Sequence, residues 1–254
     1  MRFRRFVALG DSFTEGVGDA DPGRPNGVRG WADRSAAALA QHDPELTYAN
    51  LAIRGRKLRP ILAEQIAPAL SLDPDLVSIY AGANDVLRPR IDLDALVAEY
   101  DAAVGQLAAR AHVVMFTAYD PGEAPVFAFL RGRFAIYNEL VREVAERHGA
   151  TLVDFWRLRE YRSDQLWDTD RMHMSSAGHQ RMAIAVLDAL GVEHDLEPLV
   201  LPPPPPSSAA ERRQANVAWA KEHAGPWIGR RLRGTSSGDA LTPRYPTLQS
   251  PLPT

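Results

Sequence analysis

Short apolar runs rich in β-branched and aromatic residues alternate with longer stretches of helical period, and that alternation most constrains what this chain can fold into. The runs at 5–9, 47–51, 76–80, 112–117 and 151–153 read as strands. Helices are expected at 31–41, 58–70, 93–109, 129–148 and 176–190. In the third helix Leu93, Leu96, Val97, Tyr100, Val104 and Leu107 recur at steps of three and four, so one face is apolar and should cover a sheet. The expected architecture is α/β: a three-layer α/β/α domain with a doubly wound, parallel, five-stranded sheet. Ser175 or Ser176 is placed to cap the last helix.

At 254 residues the chain can hold one such domain, read as residues 1–200, with an extension at 201–254. The extension opens on a five-proline run at 202–206, which suits a polyproline II spacer. Beyond it a short helix is expected at 209–222, then a flexible basic tail rich in Ser, Gly and Pro. Trp219 and Trp227 are out of place in a wholly solvated tail, which predicts that part of it docks on the body. From Ser207 onward seven basic residues face three acidic ones, so the net charge of −3 divides into +4 for the tail and −7 for the body. An acidic body argues against nucleic acid as a partner. Without cysteine, catalysis must use oxygen and imidazole chemistry. Met1-Arg2-Phe3-Arg4-Arg5 has the charge of an export signal, yet the apolar run after it is too short for one. With no run of the length that spans a membrane, a cytoplasmic protein is expected.

Gly10-Asp11-Ser12 follows the first strand and sets a serine hydroxyl just past its carboxyl end, where open parallel sheets present their chemistry. Such a hydroxyl is a weak nucleophile until an imidazole takes its proton, with a carboxylate fixing the imidazole's tautomer. Asp170 and His173, three residues apart between the last strand and the last helix, can deliver both from one loop at the same sheet end. A developing oxyanion needs donors. Asn84, in Gly82-Ala83-Asn84-Asp85 after the third strand, offers a side-chain amide; Gly55 and Ser12 offer backbone amides.

These four blocks, in this order, resemble the GDSL esterases of the SGNH hydrolase superfamily over roughly 6–190. The resemblance implies a flavodoxin-like sheet, no metal or other cofactor, and hydrolysis of acyl or acetyl esters. It implies Ser12 as nucleophile, His173 as base, Asp170 as its orienting acid, and Ser12, Gly55 and Asn84 as the oxyanion hole. The serine block reads Gly-Asp-Ser-Phe-Thr rather than ending in the commoner Leu, and the tail matches no general family motif.

Trp31 and Arg171 are candidate pocket residues, against core packing for the first and solvation for the second. The loop 19–30 and the segment 120–129 are placed to shape the pocket. Asp85 reads as a structural anchor, and His179 as a packing or capping residue rather than a metal ligand, since its spacing from His173 lacks the i, i+4 placement. The substrate is read as a small-molecule, lipid or sugar ester. An acyltransferase would use the same residues, and a flavodoxin-like phosphate-binding module would use only the first loop. Oligomeric state is not specified by the sequence.

Overall fold

A computed structural model describes residues 2–88, 90–122, 128–203, 208–226, 229, 233 and 235–252. Five parallel strands, β1 (Arg5–Gly10), β2 (Thr47–Asn50), β3 (Leu76–Tyr80), β4 (His112–Phe116) and β5 (Thr151–Val153), lie in the order β5-β4-β3-β1-β2. Every residue of β3 is buried, because helices cover both faces of the sheet. The helices are α1 (Ser12–Glu15), α2 (Gly30–His42), α3 (Leu58–Ser71), α4 (Ala83–Val86), α5 (Leu93–Ala108), α6 (Arg131–His148), α7 (Ser176–Leu190) and α8 (Ala209–Trp219). One core lies between the sheet and α3, α5 and α6; there Leu96, Val97, Tyr100, Val104 and Leu107 of α5 are buried as the periodicity predicts. The other, holding Trp31, Phe116 and Met182, lies beneath α2 and α7.

The expected doubly wound α/β fold is therefore observed, with one difference. The sheet has six strands rather than five. The added strand β6 (Tyr245–Gln249) comes from the segment that composition reads as a flexible tail, and it pairs antiparallel with the edge strand β2. Its anchor is Arg244, whose side chain is fully buried. The guanidinium donates to the Asp33 carboxylate at 2.7 Å, which also accepts from Arg24 and the Tyr48 hydroxyl, and to the carbonyls of Glu15 and Arg29 at 2.8 Å. Tyr245 then packs on Tyr48, ring centroids 5.9 Å apart. The last three prolines of the spacer, Trp227 and most of 230–234 lie outside the described residues.

The strand order reverses at β1, which sits between β2 and β3, and the β1/β3 pair ends at Gly10 opposite Tyr80. A crevice opens at such a switch point, beyond the carboxyl ends of the strands. Ser12 and Asn84 both follow it directly.

Candidate active site

Asp11 ends the extended chain and starts α1, its Oδ1 accepting from the Phe13 N–H at 3.0 Å. That cap sets Ser12 at the first helical position, half-buried at the mouth of the crevice. The following loop turns back at Gly18, at φ 98°, a conformation that disfavours any residue with a Cβ. A Cβ there would lie 2.1 Å from the Met174 carbonyl and 3.2 Å from the His173 Cβ, so only glycine lets the loop after Ser12 press against the His173 segment.

His173 reaches the crevice on the loop before α7, whose N-terminus Ser175 caps by accepting from the Gly178 N–H. Its Nδ1 donates to Asp170 Oδ2 at 2.6 Å, leaving the Nε2 face of the ring to the cavity. Asp170 in turn accepts the N–H groups of Met172 and His173, each at 2.9 Å. Burial opposes ionisation of Asp170, but the His173 ring and those two amides outweigh it and hold the carboxyl down at about 2. Asp170 is therefore anionic at any working pH, and it fixes the histidine tautomer with a free Nε2.

The three candidate oxyanion donors gather at the same place by different means. Gly55 takes φ 78° in the turn after β2, held beside α1 by Glu15: the carboxylate accepts the Arg54 N–H at 2.6 Å and the Arg54 guanidinium at 2.7 Å. Glu15 is thus a site-building residue that sequence reasoning missed; the clue was an acid three residues after Ser12 and an arginine next to the block glycine. Asn84 is brought in by α4, but its amide donates to Asp11 Oδ2 at 2.8 Å and to the Arg56 carbonyl at 3.0 Å. Service to an oxyanion requires one of these two bonds to be given up or shared. Asp85 accepts from the Leu58 N–H at 2.8 Å and anchors the start of α3, as expected of it.

Two cavities meet at Ser12, Asn84 and His173. The larger, about 640 Å³, runs over the β3-β4-β5 half of the sheet and is walled by aromatic residues, Phe13, Tyr80, Tyr119, Phe155 and Trp167 among them. The smaller, about 380 Å³, runs toward the β2 side past Gly55, Arg54, Lys57 and Arg88. Arg171 lines the larger cavity. Trp31 does not: it is fully buried in the core, 4.9 Å from Phe116 and 5.6 Å from Phe13 between ring centroids. It sits on the face of α2 turned to the sheet, within the core that holds Phe116 and Met182. The loop 19–30 likewise serves the tail rather than the cavity, with Arg24 donating to the Tyr245 hydroxyl and Asn26 to the Thr242 carbonyl. Of the segment 120–129, Pro121 reaches the larger cavity and 123–127 lie outside the described residues.

His179 is fully buried; Trp31 N–H donates to its Nδ1 and its Nε2–H donates to the Val17 carbonyl, both at 3.1 Å. Burial lowers its pKa to about 4, so it is a neutral strut between α2, α7 and the loop after Ser12. No group of three or more His, Cys, Asp or Glu that could hold a metal occurs among the described residues. Nor, among them, is any helix long and apolar enough to cross a membrane.

The GDSL-like lipase/acylhydrolase family model matches residues 8–181, a span that takes in Ser12, Gly55, Asn84, Asp170 and His173. The chain belongs to this family. Among solved structures this GDSL chain is similar to LAE5, an alpha/beta hydrolase enzyme from the metagenome of Lake Arreo, Spain, at 29% identity and a TM-score of 0.62, over 74% of this chain and 95% of that one. It is also similar to Axe2, an acetylxylan esterase from Geobacillus stearothermophilus, at 26% identity and a TM-score of 0.59, over 76% of this chain and 98% of that one. No curated protein matches the chain. The family and these relatives make this GDSL protein a carboxylic ester hydrolase.

Burial pushes the Asp11 carboxyl up to about 7, against the pull of the Phe13 N–H. From the ordinary carboxylate range up to about pH 7 the folded state then holds a proton that the unfolded chain has lost, so stability falls as pH rises through that window. His179 acts oppositely: from its ordinary 6.5 down to about 4 the unfolded chain gains a proton that the folded state refuses, so stability falls as pH drops. The two slopes oppose each other. Asp11→Asn keeps an oxygen for the Phe13 N–H but removes the first slope, so as pH drops from about 7 toward 4 its thermal midpoint should fall relative to the parent's by the equivalent of up to about 1.4 kcal/mol per unit. Thermal melts at stepped pH check this; superimposable profiles would contradict it.

Proposed function

We propose that this protein cleaves carboxylic esters through an acyl-serine intermediate. Ser12 Oγ attacks the ester carbonyl while His173 Nε2 takes its proton; the histidine then returns the proton to the leaving alcohol. Water, deprotonated by the same imidazole, attacks the acyl-serine and frees the acid and Ser12. Asp170 holds His173 in the right tautomer and stabilises the imidazolium that forms in each half-reaction. The backbone amides of Ser12 and Gly55 and the side-chain amide of Asn84 receive the oxyanion.

The observation that carries this reading is the 2.6 Å bond between His173 Nδ1 and Asp170 Oδ2 in the wall that also holds Ser12. A helix-terminus phosphate site would leave that pair and Asn84 unused. A fluorophosphonate probe tests it. One equivalent should attach at Ser12, located by peptide mass spectrometry, and His173→Ala should slow attachment about 100-fold or more through loss of the base. Labelling elsewhere, or at an unchanged rate in the His173 variant, refutes the assignment.

A further inference from the structure

The larger cavity is out of proportion to an acetyl group: about 640 Å³ falls within the roughly 300–1,000 Å³ typical of sites for whole drug-sized ligands. Its floor and sides come from the sheet half that the family match covers, but its roof does not. Asn216, Trp219 and Ala220, spaced i, i+3 and i+4, present one face of α8 and its continuation to the cavity, from a segment beyond residue 181. Trp219 is half-buried on a helix that is otherwise exposed along 213–218. Its Nε1–H donates to the Asp170 carbonyl at 2.8 Å, and the Arg171 guanidinium, 5.4 Å from the ring centroid, reaches Asn216 Oδ1 at 2.6 Å. The indole is thus pinned over the cavity by the very loop that carries Asp170 and His173.

The two cavities differ in chemistry. The one over β3-β4-β5 is aromatic, whereas the one past Gly55 is lined by Arg54, Lys57, Arg88, Glu222, His223 and Ser236. An ester whose carbonyl sits at Ser12 spans both, and desolvation sorts its halves: the apolar half gains by leaving water, and a hydroxylated or anionic half keeps polar partners. We infer that Trp219 is a specificity-determining residue that closes an acyl chamber, and that the substrate is an ester of an apolar acyl group well beyond acetyl with a polar alcohol. This rests on the reading of Ser12 as nucleophile.

The test is kcat/KM across p-nitrophenyl esters from acetate to dodecanoate, for the parent and for Trp219→Ala, Trp219→Phe and Ala220→Leu. In the parent each added methylene should raise kcat/KM about threefold to fourfold until the chain outgrows the chamber. Trp219→Ala should move that turnover to longer chains and raise the ratio of long-chain to acetate kcat/KM, and Ala220→Leu should move it to shorter ones. Trp219→Phe keeps a ring without the N–H and should keep the parent profile. A parent that prefers acetate, with Ser12 still labelled by the fluorophosphonate, overturns this inference alone; an unlabelled Ser12 overturns both readings. An equal loss at every chain length in Trp219→Ala and Trp219→Phe would make Trp219 a positioning residue for Asp170 and sink its role in specificity. Ala220→Leu, on an exposed helical position, decides the matter where a tryptophan variant fails to fold.

Discussion

Ser12→Ala should lose ester hydrolysis by about 10⁴-fold or more, leaving only what binding and the oxyanion donors supply without a nucleophile. The fold should be untouched. Asp11, not Ser12, caps α1, Ser12 is half-buried, and among the described residues its hydroxyl is engaged in no hydrogen bond. A surface-type change of this kind alters stability by about 0.5 kcal/mol or less. The measurement is kcat/KM on a short p-nitrophenyl ester beside a thermal melt. An unchanged midpoint with activity above about one per cent of the parent would remove Ser12 from the chemistry.

The largest effect on stability should come from Arg244→Met. Burial pushes the Asp33 carboxyl up against the pull of Arg244, Arg24 and the Tyr48 hydroxyl, and Arg244 is the more deeply placed of the two cations. Methionine retains much of the arginine's apolar stem but leaves a buried carboxylate without its main partner. Breaking such a pair from one side typically costs about 3–5 kcal/mol, and in a chain of this size that lowers the thermal midpoint by roughly 10 °C. Because the stranded group is an acid, the loss should grow with pH and shrink where Asp33 can take up a proton. The double variant Asp33→Leu with Arg244→Met should recover much of the loss, since an apolar pair of similar volume carries no desolvation penalty. A single-variant loss below about 1 kcal/mol would mean that β6 holds without its anchor.

Why some of this molecule was legible in sequence and some was not follows from where the information sits. A strand buried on both faces must be apolar along its length, so 76–80 announces β3 within a residue, and a helix against a sheet must repeat its apolar positions, so α5 is equally plain. β6 offers no such run. It is an edge strand that contains Pro246, which one-sided pairing tolerates, and its anchor is a charge that only a partner two hundred residues away explains. Ser12, Gly55 and Asn84 were readable because each stands in a short block soon after a strand, and Asp170 and His173 because they stand three residues apart just before α7. The cavity walls were not, since Tyr119, Phe155 and Trp167 have the same identities they would have in a core. Trp31 shows the converse: a tryptophan at a helix start near the site is equally suited to lining a pocket or filling the interior, and three-dimensional packing decides for the interior.

Pairing of β6 with β2 also bears on the behaviour of these molecules in a crowd. A bare β2 would present four residues of unpaired N–H and C=O groups, the template on which neighbouring copies zip together into aggregates. The antiparallel strand takes that place and turns outward a border interrupted by a proline, and the opposite border, β5, is only three residues long. Shortening the polypeptide to strip away its roof helix would therefore also bare a sticky margin, and precipitation of such a truncate would say nothing about catalysis.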